Sequence, residues 1–308
     1  MLLPCYNEGN TIRNVVSSFK KVLPEAVIYV YNNNSSDNTV NEALKAGAIV
    51  RNEYMQGKGN VIRRMFRDVD AECYIMADGD GTYLADNARK MAYMVLEKNI
   101  DMVVGDRLSS TYFTENKRRF HNLGNSLVRK SINFLFHSNI KDIMTGYRAF
   151  SYEFVKTFPV LSEGFEIETE MTIHAVDKNM YIESIVIGYK NRPENSVSKL
   201  NTYSDGIKVL KTIIKLYKTY KPMGFFGIIT LILVLLAAFF FIPVLLEYIK
   251  TDMVPDFPTL IVCGFTMLAA IQSFFAGMVL QTILQKNRQD FEMYLHKAAK
   301  DKKDMMCK

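Results

Sequence analysis

The sequence predicts an α/β domain with a mostly parallel, Rossmann-like sheet, followed by an amphipathic helix and a two-helix transmembrane hairpin. Three observations support this prediction. Short apolar runs alternate with helical patterns over roughly the first 105 residues, which is typical of a parallel sheet with covered faces. One apolar run ends in two closely spaced aspartates, Asp78 and Asp80. Two long segments near the C-terminus, 225–246 and 257–284, carry no charge.

Predicted strands and helices alternate in the N-terminal part of the chain. Strands are expected at 1–4, 27–31, 48–50, 73–77 and 102–104. Helices are expected at 11–23, 38–46, 59–67 and 85–98. Further on, the pattern predicts a helix over 116–136 and a strand over 181–189. No repeat or low-complexity linker interrupts this region, so we assign 1–204 to one large α/β domain.

The two uncharged segments are predicted to cross a membrane. Each is long enough to span the apolar core of a bilayer, and neither shows a polar face. The short connector 247–256 makes them a hairpin, which we place at 223–285, with a basic tail at 286–308. Lysines and arginines flank both ends of the hairpin. The positive-inside rule therefore predicts an integral membrane protein whose large domain and both termini are cytoplasmic.

The segment 205–222, just before the hairpin, is predicted to be an amphipathic helix. On a helix, Leu210 and Ile214 share an apolar face, and Lys211 and Lys215 share a basic one. This pattern is typical of a helix that lies on an anionic membrane surface. The alternative is an ordinary amphipathic helix that docks on the large domain and leaves its lysines in water.

The aspartates of the stretch Asp78-Gly79-Asp80 predict a site for a hard cation. They follow an apolar strand, and open α/β folds bind ligands at the carboxyl ends of their strands. Two carboxylates at this spacing can share one Mg²⁺ or Mn²⁺, which in turn can hold a diphosphate. The alternative is turn chemistry alone, because Asp and Gly both tolerate unusual backbone angles. The four cysteines show no metal-ligand spacing.

Two other polar loops follow predicted strands and are expected at the same edge of the sheet. They cover 4–10 and 32–39. The second is rich in side chains that hydrogen-bond to bases, riboses and backbone amides. The same residues also suit a plain turn that caps the next helix, and both roles are compatible.

The order and spacing of several motifs resemble family 2 glycosyltransferases with the GT-A fold. The first motifs are PCYNE at 4–8, NNSSDNT at 33–39, QGKG at 56–59 and DGD at 78–80. The later ones are VGDR at 104–107, DIMTGYR at 142–148, GFEIETE at 164–170, and Arg192 followed by SKL at 198–200. This later set is similar to the polyprenyl-phosphate glycosyltransferase branch, which includes dolichol-phosphate mannose synthases and bactoprenol glucosyltransferases. The resemblance covers about 1–205, and a C-terminal hairpin fits it.

The resemblance implies an enzyme that moves one sugar from a nucleotide sugar to a polyprenyl phosphate, giving a lipid-linked sugar for modification of cell-envelope glycans. By similarity, the nucleotide would be bound by Pro4, Tyr6, Asn7, Glu8, Asn32, Asn34, Ser35 and Asp37. Asp78 and Asp80 would bind Mg²⁺ or Mn²⁺ and, through it, the donor diphosphate. Gly79 would also contact the nucleotide sugar, and Lys58 would add a positive charge beside the diphosphate. UDP-glucose or UDP-N-acetylglucosamine is favoured over GDP-mannose.

The acceptor phosphate would need fixed cations, and arginine suits phosphate oxygens. The candidates are Arg107, Arg192, either Arg118 or Arg119, and then Ser198 and Lys199. A lipid phosphate is largely ionised at neutral pH, so no strong general base is required. We therefore expect direct in-line attack on the anomeric carbon with inversion, with catalysis by Asp78, Asp80, Arg107 and Arg192. The lipid would be undecaprenyl phosphate in a bacterium and dolichyl phosphate otherwise.

Three glutamates in the GFEIETE stretch are candidates for positioning the sugar: Glu166, Glu168 and Glu170. Helical spacing would place Glu166 and Glu170 on one face. The alternative is that they are solvated helix acids.

The chain departs from the resembled enzymes at two positions. Where this chain has Asn32, the resembled enzymes usually carry an aspartate that contacts the donor base. A carboxylate only accepts hydrogen bonds, whereas the amide of an asparagine also donates them. The resembled synthases tend to carry an amide side chain where this chain has Thr82.

Two other functions compete with the leading hypothesis. A processive polysaccharide synthase shares the fold, but those enzymes resemble one another in a Gln-x-x-Arg-Trp motif, and this chain has no tryptophan. A catalytically weak membrane subunit that binds lipid or a partner enzyme would be consistent with Asn32. A homo-oligomer, for instance a tetramer, is expected by analogy with the resembled bactoprenol enzymes, and no nucleic-acid partner is expected.

Overall fold

A seven-stranded sheet forms the centre of the N-terminal part of the chain in the computed structural model, which describes residues 1–109, 119–164, 166–190, 214–254 and 256–307. Its strands are β1 (Leu2–Cys5), β2 (Tyr29–Asn32), β3 (Ile49–Asn52), β4 (Cys73–Met76), β5 (Met102–Asp106), β6 (Arg148–Ser151) and β7 (Ile182–Val186). Their spatial order is β3-β2-β1-β4-β6-β5-β7.

The sheet is parallel except at β6, which confirms the predicted mostly parallel α/β class. Strand β6 runs antiparallel to both β4 and β5, and all other pairs of neighbours are parallel. The chain leaves β1 toward β2 and β3 on one side, and β4 lies on the other side. In open α/β sheets such a reversal of strand order marks the crevice where ligands bind.

Helices cover both faces of the sheet. They are α1 (Ile12–Val22), α2 (Thr39–Lys45), α3 (Lys58–Asp68), α4 (Ala88–Leu96), α5 (Arg119–Phe136), α6 (Tyr152–Thr157) and α7 (Ile167–Asp177), with a short 3₁₀ turn at Ala85–Asn87. One core cluster includes Phe19 of α1 and Met91 of α4. The other includes Met65 of α3 and Met171 of α7. These two apolar layers fix the sheet between the helices.

The helices of the C-terminal region are α8 (Pro222–Thr251) and α9 (Phe257–Met306), and residues 214–220 are also helical. The chain divides into two compact units. The sheet unit comprises 1–205 and 291–308, and the helical unit comprises 206–290. The segment that we predicted as a basic tail is therefore helical as far as Met306.

The end of α9 contributes to the core of the sheet unit. Phe291 is 5% exposed and belongs to the second core cluster, and Leu295 and Met305 pack against the same cluster. Lys302 Nζ lies 3.1 Å from each carboxylate oxygen of Glu153. Apolar residues on one face of the helix thus pack this segment against the core of the sheet unit. A partly buried ion pair fixes its position along that core.

The helical unit contains two helices that are long and apolar enough to cross a membrane. The most apolar 18-residue window of α8 has a mean hydropathy of 3.1 and is 11% buried, and that of α9 has a mean hydropathy of 1.8 and is 17% buried. The helices pack closely through small residues, because a Cβ at Gly277 would lie 2.9 Å from Phe226 Cβ. Ser273 Oγ also donates to the Phe226 carbonyl at 3.3 Å. The predicted spans 225–246 and 257–284 lie within these helices.

Candidate active site

The loops that follow β1, β2 and β4 meet at the carboxyl edge of the sheet, as the sequence predicts. The Asn7 amide donates to Ser35 Oγ at 2.9 Å, which joins the first loop to the second. The Gly9 amide donates to Asp37 Oδ2 at 2.8 Å. Thr11 Oγ1 donates to the Gly79 carbonyl at 2.7 Å, which joins the first loop to the third. Three loops that are distant in sequence are therefore joined in one hydrogen-bonded group.

Several predicted nucleotide-binding residues hold this group together. Asn7 (φ 57°) and Asn34 (φ 59°) both adopt left-handed backbone angles, which asparagine tolerates better than most residues. Asn7 Oδ1 also accepts from the Ser36 amide at 2.8 Å. Asp37 lies at the start of α2 and accepts from the Thr39 hydroxyl and, at 3.0 Å, from the Thr39 amide. Hydrogen bonds from the Gly9 and Thr39 groups lower the pKa of Asp37, although burial opposes this shift.

The other predicted residues of the first loop lie at the same edge. Pro4 is on β1, and Tyr6 is 39% exposed just beyond it. The backbone amide of Glu8 donates to Thr39 Oγ1 at 2.9 Å. Tyr6 therefore offers an accessible aromatic ring beside this group of loops.

Asn33 also organises this edge, a role that was not predicted from the sequence. Its side chain is buried and donates to the carbonyl groups of Glu53 (2.8 Å) and Met55 (2.9 Å). Its Oδ1 accepts from the Gly57 amide at 2.8 Å. Asn33 thereby fixes the whole loop before α3. The sequence does not show this role, because Asn33 has an asparagine on either side: Asn32 is also buried, and Asn34 is exposed.

Asn32 is held by two fixed partners. Its Nδ2 donates to Asn52 Oδ1 at 2.9 Å, and its Oδ1 accepts from the Ser35 amide at 3.1 Å. Asn32 and Asn52 are directly opposite each other on the parallel pair β2 and β3. The backbone donor of Ser35 requires an acceptor, so the amide oxygen of Asn32 faces Ser35. A carboxylate at position 32 would accept the same bond from Ser35.

Asp78 lies just after β4 and takes part in a partly buried ion-pair network. Lys58 Nζ is 2.6 Å from Asp78 Oδ1 and 2.5 Å from Glu168 Oε1. Burial disfavours the charged lysine, but the two carboxylates outweigh it and raise the pKa of Lys58 well above its usual value. Lys58 is therefore a permanent cation at this site. Of the three candidate glutamates, Glu168 is the one that lies beside Asp78.

Asp80 is 5% exposed, and its orientation is set by Thr82. Both the amide (3.1 Å) and the hydroxyl (2.7 Å) of Thr82 donate to Asp80 Oδ1. Two glycines define the space around the aspartates. A Cβ at Gly79 would lie 2.5 Å from Cys5 Sγ, and a Cβ at Gly146 would lie 2.7 Å from Asp78 Oδ2. Gly146 lies in the DIMTGYR motif but was not among the predicted site residues.

The two aspartates fit a hard divalent cation that is delivered together with a diphosphate. Mg²⁺ is commonly bound through one or two carboxylates plus substrate phosphates rather than by a complete protein cage. Within the described ranges, no group of three or more His, Cys, Asp or Glu side chains is assembled for a metal. Asp78 and Asp80 supply hard oxygen donors on either side of Gly79. This donor set suits Mg²⁺ or Mn²⁺ and does not suit a soft metal.

Arg107 forms a two-point ion pair with Asp142. Its Nε lies 2.8 Å and its Nη2 lies 3.4 Å from the two carboxylate oxygens of Asp142, which is 1% exposed. The guanidinium also lies over the ring of Tyr189, with 5.7 Å to the ring centroid. This arrangement fixes the plane of the guanidinium just beyond the end of β5.

A second arginine, Arg148 on β6, is completely buried. It donates to the Thr145 carbonyl at 3.0 Å and to Thr172 Oγ1 at 2.9 Å. Burial lowers the pKa of Arg148 to about 10, although the carboxylates of Glu168 and Asp142 oppose this shift. Arg148 explains why β6 was not predicted, since an arginine at the start of a four-residue segment does not resemble a buried strand.

The remaining predicted residues have different positions. Glu170 accepts from the amides of Leu161 (2.9 Å) and Ser162 (2.8 Å), so it fixes the loop before α7. Glu166 is exposed at the start of the same helix. The other predicted phosphate-binding residues lie outside the described residues: Arg118, Arg192, Ser198, Lys199 and the side chain of Arg119.

Comparison with known proteins identifies the family. The model of glycosyl transferase family 2 matches residues 1–158, about half of the chain. The chain belongs to this family. It is 32% identical to the glycosyltransferase AglJ of Haloferax volcanii over 228 residues, which cover 74% of this chain and 74% of AglJ.

Two further comparisons extend the picture. A dolichyl-phosphate hexose transferase of the same organism is 25% identical over 70% of this family 2 chain and 92% of that protein. The structure of glucosyl-3-phosphoglycerate synthase from Mycobacterium tuberculosis in complex with Mn²⁺ and UDP-glucose superposes with a TM-score of 0.52, at 19% identity, over 70% of this chain and 77% of that one. At this identity the second likeness supports the fold alone.

Proposed function

We propose that this glycosyltransferase is a membrane-bound, inverting enzyme that transfers one sugar from a nucleotide sugar to a polyprenyl phosphate. One observation carries the proposal: Asp78 and Asp80 follow β4 at the sheet edge where the polar loops of β1 and β2 meet, and a buried lysine lies beside Asp78. Carboxylates, a fixed cation and a polar rim are what a nucleoside diphosphate requires.

The donor would lie along this edge. The loops after β1 and β2, including Tyr6 and Asn34, would hold the base and ribose. Asp78 and Asp80 would hold Mg²⁺ or Mn²⁺ against the diphosphate. When bound, such a metal neutralises the charge that develops on the leaving nucleoside diphosphate. We favour UDP-glucose or UDP-N-acetylglucosamine as donor, because of the resemblance to the polyprenyl-phosphate glycosyltransferase branch.

The acceptor would be a lipid phosphate, which supplies its own ionised nucleophile. Its oxygen would attack the anomeric carbon of the sugar from the side opposite the leaving diphosphate, so the configuration inverts. The chain then has to orient the two reactants and balance charge. Among the residues that the structure describes, Arg107 is our candidate for contact with the acceptor phosphate. Its guanidinium is held in a fixed orientation by Asp142. The dolichyl-phosphate hexose transferase relative supports this acceptor class.

The two apolar helices would anchor the enzyme next to its lipid substrate. Under the positive-inside rule, the lysine-rich flanks would put the sheet unit and both termini on the cytoplasmic side. A lipid phosphate at the membrane surface would then be within reach of a catalytic unit that is tethered there.

A lipid-extraction assay tests the proposal. The purified full-length protein is incubated with polyprenyl phosphate, Mn²⁺ or Mg²⁺, and each radiolabelled nucleotide sugar in turn, and the label in the organic phase is counted. We expect label with one donor and its loss in Asp80→Asn. If no donor labels the lipid, the proposed activity is wrong, and the alternative of a weak membrane subunit is favoured.

A further inference from the structure

Lys58 lies between two carboxylates that come from different parts of the chain: Glu168 is buried, and the side chain of Asp78 is 26% exposed. Its ammonium is 2.6 Å from Asp78 Oδ1 and 2.5 Å from Glu168 Oε1. The side chains of Lys58 and Glu168 are only 10% and 6% exposed. Formal charges of +1, −1 and −1 leave this group with a net charge of −1. A buried charge is tolerated only when it is well paired, so the three side chains form one electrostatic unit.

The backbone fixes this unit. Lys58 is the first residue of α3, and Glu168 is the second residue of α7. The start of α3 is joined to the loop before α7, because the Gly59 amide donates to the Glu163 carbonyl at 2.9 Å. A Cβ at Gly59 would overlap the Ser162 carbonyl. The distance between Lys58 and Glu168 is therefore set by direct backbone contact and does not depend on a bound ligand.

We propose that Glu168 is a positioning residue that acts through Lys58 on Asp78, by sharing the ammonium so that Asp78 can bind a divalent cation. This inference rests on the proposed function, in which Asp78 is a metal ligand. It assigns Glu168 a role in metal binding at Asp78, in place of the sugar contact that the sequence predicts.

Lys58 and a bound metal would compete for the carboxylate of Asp78. With Glu168 ionised, the positive charge of Lys58 is divided between two acids, and Asp78 keeps part of its negative charge for a metal. If Glu168 is made neutral, Lys58 is compensated by Asp78 alone, and the net charge of the group rises from −1 to 0. A divalent cation must then displace a fully engaged ammonium from Asp78. Both effects weaken metal binding.

The experiment measures Mn²⁺ binding directly by electron paramagnetic resonance, in which free Mn²⁺ gives the signal that bound Mn²⁺ loses. The purified full-length protein is titrated in saturating UDP. We expect Glu168→Gln, which is isosteric, to weaken Mn²⁺ binding by about tenfold. Glu97→Gln makes the same chemical change at an exposed position just after α4, and it should leave Mn²⁺ binding unchanged.

A double variant separates the electrostatic role from a merely structural one. The double variant combines Lys58→Met with Glu168→Gln and so also removes the ammonium. Asp78 then has no lysine that competes with the metal for its carboxylate. Mn²⁺ binding should therefore be at least about threefold tighter in the double variant than in Glu168→Gln alone. Failure of this recovery would overturn the proposal, because damage to the start of α7 would be the same or worse in the double variant.

Two other outcomes are equally decisive. If Glu168→Gln binds Mn²⁺ as tightly as the wild type, Glu168 does not act on Asp78. That result would leave the proposed glycosyl transfer standing. Absence of Mn²⁺ binding by the wild type in saturating UDP removes Asp78 as a metal ligand. That second result overturns the proposed metal-assisted transfer together with this inference.

Discussion

The carboxylate of Asp78 lies directly against the Cα of Gly146, so that a Cβ at position 146 would be 2.7 Å from Asp78 Oδ2 and 2.9 Å from Oδ1. The Gly146 amide donates to the Tyr83 hydroxyl oxygen at 2.9 Å, which holds the glycine in place. Burial raises the pKa of Tyr83 well above its usual value, so its oxygen stays protonated and the contact is constant across physiological pH.

Replacing Gly146 with alanine should therefore displace Asp78. We expect Gly146→Ala to lower transfer activity at least about tenfold, since small displacements of catalytic groups are costly. Organic-phase label in the lipid-extraction assay measures this. Gly264→Ala is the control, because a Cβ there meets no atom within 4 Å. Equal activity of the two variants would show that the position of Asp78 does not limit the reaction.

Breaking the ion pair of Arg107 should destabilise the sheet unit. Arg107→Met leaves the nearly fully buried carboxylate of Asp142 without its cation, which typically costs about 3–5 kcal/mol. The free energy of unfolding, from denaturant titration, measures the loss. Arg107→Met combined with Asp142→Asn removes both charges and should be clearly more stable than the single variant. Equal stability of these two variants would contradict the prediction.

The stability of the sheet unit should fall on acidification because of His174. Its ring packs edge-on against Phe154, Phe158 and Phe291, and burial lowers the pKa of His174 to about 4, with Lys178 acting in the same direction. Between pH 6.5 and 4 the unfolded chain therefore binds a proton that the folded chain does not. The folded state loses about 3 kcal/mol over this interval.

The pH dependence of the apparent unfolding temperature tests this role of His174. We expect a steep fall between pH 7 and 4.5 in the wild type and a shallower one in His174→Phe, which keeps an aromatic ring but cannot titrate. Only the slopes matter, so a change in baseline stability does not affect the test. Parallel curves for the two proteins would exclude His174 as the responsible group.

Truncating Phe291 should destabilise the sheet unit. Phe291→Ala removes a ring that is 5% exposed and packed on His174, at a typical cost of about 3–5 kcal/mol. Met293→Ala is the matched control on the same helix, because Met293 is 71% exposed. Denaturant titration should separate the two variants clearly. Similar losses would show that the end of α9 is not docked in solution.

Introducing an aspartate at position 32 should be tolerated and should strengthen donor binding. The Ser35 amide would donate to the new carboxylate, and the Asn52 amide can turn to do the same. In the proposed donor site the side chain at position 32 would face the base, and a carboxylate accepts hydrogen bonds more strongly than an amide, so calorimetry should show UDP binding about tenfold tighter in Asn32→Asp. Asn179→Asp, at an exposed position after α7, should leave UDP binding unchanged. Weaker UDP binding in Asn32→Asp would show that the base needs the amide as a donor.

The sequence was informative where a local pattern determines structure. Apolar periodicity predicts the parallel core and the two apolar helices. The meeting of the three loops follows because each loop comes directly after a strand of that core. Asp78 and Asp80 were found because they end such a strand. Their neighbours Lys58 and Thr82 were also noted, since both lie within or beside recognisable motifs.

Contacts between distant segments could not be predicted in the same way. Strand β6 was missed because its buried arginine is stabilised by the Thr145 carbonyl and the Thr172 hydroxyl, which only the folded chain brings together. The pairing of Lys58 with Glu168 joins residues 110 positions apart. The choice of Glu168 over Glu166 and Glu170 depends on how α7 is rotated, and helical spacing alone does not set that rotation.

The docking of residues 291–306 in the core of the sheet unit has a consequence for biosynthesis. Translation proceeds from the N-terminus, and domains generally fold as units while they emerge from the ribosome. Here one unit is interrupted in sequence by 206–290, so its core cannot be completed until both apolar helices have been synthesised. A nascent chain that stops before those helices would lack Phe291 and expose the apolar surface that it covers. In the membrane-bound enzyme that we propose, completion of the catalytic unit would thereby follow synthesis of its membrane anchor.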